Sequence, residues 1–160
     1  MKLDLVLREL HRRENNLAHK LLHVSERHKV DHDVYHLGRD LAGWSQRHVR
    51  EIAEAARDLD LNLDPEPAAE HHVAQKLREK GSELLGRRSE PGLLLLVDLR
   101  ELYTMAAGLS VDWELLGQAA QGIRNRELLA LTKRCHPDTL RQMKWANSKL
   151  KESATQILVS

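Results

Sequence analysis

The chain has 160 residues, 41% hydrophobic and 31% charged, which gives room for one sizeable core and excludes a disordered polypeptide. Its 25 basic and 24 acidic residues nearly cancel, so no basic excess marks a nucleic-acid surface. One cysteine, Cys135, excludes an internal disulfide, and no apolar run approaches the roughly 18 residues of a membrane span.

The start shows no signal-peptide pattern, and a cytoplasmic chain forming a single domain over 1–160 is expected. Phenylalanine is absent, so the core must be filled by Leu, Ala, Val, Ile, Met and Trp, as suits helix-on-helix packing. Period-two alternation is missing throughout, and helix formers dominate. The first helix is expected from about Leu3 to about His28, with an apolar stripe Leu3, Leu7, Leu10, Glu14, Leu17, Leu21, Val24. After a turn at Lys29-Val30-Asp31, Asp31 caps a second helix that reaches about Asp60. Its stripe reads Val34, Leu37, Leu41, Trp44, His48, Ile52, Ala55. Pro65 and Pro67 exclude a helix there and open a long connection, with a short helix expected over Ala68–Lys80. Pro91-Gly92 starts a third helix. A stop at Gly108 would make it short, whereas a stop at Gly122 gives four helices of similar length. The second choice is preferred, with a fourth helix from about Asn125 to about Ala154 kinked at Pro137.

Glu14 and His48 stand where leucine belongs. A carboxylate or imidazole buried alone costs several kcal/mol, so each needs a partner. Counting from the turns at about 1.5 Å per residue, Glu14 and His48 lie at nearly the same height. On the same reckoning Asp112 lies at that level on the third helix, with Glu101 as the alternative, and His136 on the fourth. Two carboxylates and two imidazoles suit Fe, Mn or Zn, and Glu51, three residues after His48, supplies a further oxygen. A metal-free core, with Glu14 and His48 hydrogen-bonded to each other, is an equally good reading of the same residues.

Two short turns and one long middle connection distinguish this order of helices from a simple up-down-up-down bundle. On that ground and on the polar set above, the chain resembles the ferritin-like superfamily, most nearly its rubrerythrin-type bundles. The resemblance implies an all-α, antiparallel four-helix bundle with a long crossover between helices two and three. Members with a di-iron centre place a Glu on two helices and a Glu-x-x-His on the other two. Glu14 matches the first Glu, and His48 and His136 match the motif histidines. Asp112 or Glu101 would take the remaining carboxylate position. Ser45 and Lys133 stand where the motif glutamates belong, so a single metal, a rearranged site or no metal fits the residues better than a di-iron pair. Two functions follow as expectations. One is a divergent metal-binding member with a redox or stress-related role, its substrate unnamed by the sequence, in which Trp44 walls the pocket. The other is a non-enzymatic helical scaffold or oligomerising partner that has lost the metal. A homo-oligomer, a dimer, is expected, with apolar crossover residues such as Val73 and Leu77 available to pack against a second subunit. Nucleic acid and membrane are not expected partners.

Of the ten histidines, His19 with His23 and His32 with His36 have the i,i+4 spacing that chelates a metal on a helix face, although solvated faces explain them as well. Cys135 lacks a partnering motif and reads as a structural thiol.

Overall fold

The computed structural model describes residues 2–68 and 90–160. Among these residues the fold is four helices and no strand: α1 Leu3–Arg27, α2 His32–Arg57, α3 Pro91–Gly122 and α4 Arg126–Val159. Asp31 caps α2, its side chain accepting from the Val34 N–H, and Asn125 caps α4 by accepting from Leu128. α3 runs unbroken through Gly108 to Gly122, and α4 runs unbroken through Pro137. The short helix expected over Ala68–Lys80 lies, beyond Ala68 itself, outside the described residues.

The helices form a square. α1 packs on α2 and α3, and α4 packs on α3 and α2, while across the diagonals the backbones stay apart. Every neighbouring pair is antiparallel. Arg13 meets Asp112 while Lys20 meets Asp98, which orients α1 against α3. Glu51 meets Arg134 while Asp31 meets Lys149, which does the same for α2 and α4. α2 and α3 therefore run in the same direction across the diagonal, and the chain between them must climb the length of the bundle. Its described start does so along α1. Leu61 and Leu63 are buried, the Asp64 carbonyl meets the His11 ring, and the Ala68 N–H donates to Asn15 Oδ1.

The core is aliphatic. Leu7, Leu10, Leu17 and Leu21 of α1, Ile52 of α2, Leu99, Leu102, Leu109 and Leu116 of α3, and Leu128 and Leu131 of α4 are fully buried, with Trp113 the one large aromatic among them. Each contributes about 1.5–3 kcal/mol relative to exposure. Small residues let the short-turn pairs approach. A Cβ on Gly38 would lie 3.2 Å from that of Ser25, and one on Gly117 would lie 3.2 Å from Thr132 Cγ2.

α2 and α3 end alike. Asp60 and Arg124 adopt positive φ, 55° and 56°, and the next N–H returns to the helix, Leu61 to the Ala56 carbonyl and Asn125 to that of Ala120. Glycine is the residue that enters this conformation without steric cost. Arg124 is exposed, so Arg124→Gly should raise stability by about 0.5–1 kcal/mol, read as a higher midpoint in urea with an unchanged slope.

Candidate functional site

The middle of the bundle holds a polar set with one member from each helix. His48 of α2 is fully buried and uses both ring nitrogens. Nδ1 lies 2.9 Å from Glu14 Oε1 of α1, and Nε2 lies 3.1 Å from Asp138 Oδ2 of α4. Trp113 of α3 donates its indole N–H to the same Glu14 oxygen at 3.1 Å, and its ring stands edge-on to the imidazole. Asp138 leads outward, where Arg47 and Arg141 donate to its two oxygens.

An imidazole with a carboxylate on each nitrogen is arranged as an imidazolium, since each carboxylate accepts one N–H. Burial alone would push the pKa of His48 down. Hydrogen bonds to Glu14 and Asp138, and their charges, outweigh burial and hold it above the ordinary 6.5. Glu14 and Asp138 then face three cationic groups, His48 and the two guanidinium groups, and Glu51, 3.8 Å from Arg47, supplies a third carboxylate. One atom is left over: Glu14 Oε2 is buried with no hydrogen-bond partner.

Of the residues singled out in the sequence, Glu14 and His48 meet. The others go elsewhere. Asp112 pairs with Arg13 at 2.6 Å. Glu101 is exposed and pairs with Lys20. His136 Nε2 lies 2.8 Å from Ser110 Oγ. Glu51 accepts from Arg134 at 3.0 Å and receives the Cys135 thiol at 3.8 Å. Of the two positions that differ from the di-iron motif, Ser45 is buried and accepts from Gln142 Nε2, while Lys133 is exposed. Among the described residues no group of three or more His, Cys, Asp or Glu side chains is arranged to hold a metal ion.

Sequence reasoning passed over Asp138 and read Trp113 as a core filler, which it is, without its bond to Glu14. The inward stripe of α4 is Leu128, Leu131, Cys135, Asp138, Gln142, Ala146, Lys149, about one residue away in register from the row Leu129, His136, Met143, Leu150 that an inward His136 implies. The 3-4 spacing of Cys135, Asp138 and Gln142 was the available signal, masked by their polarity.

A second polar cluster lies nearer the α1–α2 turn. Asp98 of α3 is buried and receives Lys20, Arg27 and His28 of α1. Burial would raise its pKa, but the His28 hydrogen bond and the charges of Lys20 and Arg27 bring it below the usual carboxylate range. His23 lies beside them without a partner for its buried Nε2. Burial, then the charges of Arg27 and Lys20, lower its pKa to about 4. The buried Cys135 thiol is shifted upward by burial and by the charges of Glu51 and Glu14, so it is a poor nucleophile.

These shifts fix the signs of the pH dependence. The folded pKa of His48 is raised, so its contribution is complete below about pH 6.5 and is lost as pH rises through the folded value. The folded pKa of His23 is depressed, so folding loses stability as pH falls from 6.5 toward 4. Urea melts across pH should show both arms, with His48→Gln flattening the alkaline arm and His23→Gln the acid arm. His48→Ala should cost about 3–5 kcal/mol, because it strands Glu14 in the core. Glu14→Met combined with His48→Leu should cost less than the sum of the single changes.

No family model, curated protein or solved structure matches this chain, so the functional reading rests on its own residues.

Proposed function

We propose that the chain is a non-enzymatic helical scaffold with ferritin-like connectivity, in which a charge-paired histidine occupies the level where that family holds metal. The observation that carries this reading is the use of both His48 nitrogens by carboxylates, Glu14 on one side and Asp138 on the other. A metal ligated by His48 would have to displace a proton and one of these partners, and Arg47 and Arg141 already neutralise Asp138. The two short turns, the climbing crossover and the parallel α2–α3 diagonal support the ferritin-like connectivity.

A second reading, the divergent metal-binding protein, is favoured by one atom. Glu14 Oε2 is a buried acceptor without a donor, and such an oxygen attracts a cation. Here Glu14 would be the first ligand, and His48 would join it only by releasing one carboxylate. Fe, Mn and Zn suit such oxygen and imidazole donors.

Elemental analysis of protein purified without a histidine tag separates the two. The scaffold reading expects less than a tenth of an equivalent of Fe, Mn or Zn, and no change in melting temperature when each ion is added. About one equivalent that disappears in Glu14→Gln, with a ligand-induced rise in melting temperature, establishes the metal reading instead.

A further inference from the structure

α3 is apolar on the side that faces away from the bundle as well as on the side that faces in. Leu93, Val97, Val111 and Leu115 are 42%, 56%, 54% and 55% exposed. At 100° per residue they share one stripe with Arg100 and Thr104, opposite the buried Leu102, Leu109 and Trp113. The stripe thus has two apolar ends, Leu93 with Val97 and Val111 with Leu115, separated by Arg100 and Thr104, and exposed apolar area of this kind can serve as an interaction surface. α1 and α4 pack on the other sides of α3. The described start of the crossover lies along His11, Asn15 and His19 of α1. That is a different face from the one that presents Arg13, Lys20 and Arg27 to α3.

The apolar positions of the stripe have the same spacing read from either end. About Thr104, Val97 and Val111 lie seven residues to each side, Leu93 and Leu115 eleven, and Arg100 and Gly108 four. A two-fold contact between antiparallel helices needs this self-complementarity, because each residue meets its mirror position on the other copy. Valine would meet valine, leucine would meet leucine, and each Arg100 would lie over a glycine. The centre is also small enough for close approach. Thr104 turns its hydroxyl back to the Arg100 carbonyl at 3.0 Å. A Cβ on Gly108 would meet nothing within 4 Å. Leu93 to Leu115 spans about 33 Å of helix. Two such faces with their flanks bury on the order of 1,200 Å² in total, the low end for a stable interface.

We propose that the outer stripe of α3 is a homodimer interface, with two copies packed antiparallel about Thr104. This deepens the scaffold reading by naming the partner as a second copy of the chain. The pairing of position 97 with position 111 makes it testable by charge. Sedimentation velocity at about 100 μM, well above a micromolar Kd, should show a wild-type dimer. Val97→Glu and Val111→Lys should each weaken the dimer at least tenfold, because one charge then faces valine in a desolvated contact. An equimolar mixture of the two variants should dimerise again, since Glu at 97 of one copy then meets Lys at 111 of the other. Both positions are exposed in the single chain, so helix content and melting temperature at monomeric concentrations should match wild type, which separates dissociation from unfolding. A wild-type monomer at 100 μM overturns the proposal, whether residues 69–89 or a different protein covers the stripe. A variant that dimerises as wild type does, or a mixture that stays monomeric, also overturns it. Metal content is untouched by these changes. A metal-free monomer therefore removes the dimer alone, and a metal-loaded dimer removes the scaffold reading alone.

Discussion

The His48 imidazole held between two carboxylates is the constraint on which the middle of the bundle depends. It draws Glu14 from α1 and Asp138 from α4 to one level, and Trp113 of α3 joins through Glu14. A core of leucines alone tolerates a slip of one turn, because Leu17 and Leu21 are alike and four residues apart. The polar set does not tolerate it. A slip would leave a buried carboxylate facing leucine, and a stranded charge costs several kcal/mol. Hydrophobic burial drives the helices together, and the His48 set decides their height and rotation.

The same division of labour holds around the square. The pairs α1–α2 and α3–α4 are joined by short turns and brought close by Gly38 and Gly117. The pairs α1–α3 and α2–α4 have no such tether. Apart from the central Glu14–His48 pair, the ion pairs between helices among the described residues lie here, including Arg13–Asp112 and Lys20–Asp98 on one side and Arg47–Asp138, Arg134–Glu51 and Lys149–Asp31 on the other. Exposed pairs of this kind contribute little each. Asp98 and Lys149 are buried, and a wrong alignment would leave them without partners. Charge therefore selects the alignment exactly where covalent connection does not.

Much of this was legible in the residues. The second helix started at its Asp31 cap, the last two were divided at Gly122 by matching helix lengths, and Glu14 and His48 announced themselves as polar residues on leucine stripes. The neighbours of that pair were not legible, for a physical reason. On α1 and α2 the contrast between faces is sharp, so rotation can be read from the stripe. On α4 the inward face is itself polar at Asp138, Gln142 and Lys149, so it contrasts little with the adjacent face carrying Leu129 and Met143. Height was estimated well enough for α1 and α2, joined by a short turn. Asp112 failed to meet the pair through rotation: it points to Arg13 at the edge, while Trp113, one residue on, points to the centre.

α3 resisted reading for a different reason, which bears on its role. With leucine or valine at Leu93, Val97, Val111 and Leu115 outside, and at Leu99, Leu102, Leu109 and Leu116 inside, no stripe stands out from its opposite. A helix apolar all round belongs where both faces are covered. α1 and α4 cover only the inner half. Exposed aliphatic residues occur on the other helices too, at Leu5, Leu37 and Leu140, but α1 carries Glu9, Arg12 and Asn16 on its outward side. Four aliphatic side chains on the outside of α3 leave apolar area in water. The symmetric order of those side chains about Thr104 narrows the choice, because an arbitrary partner would impose no relation between the two ends of the stripe, whereas a second copy of the same helix imposes this one.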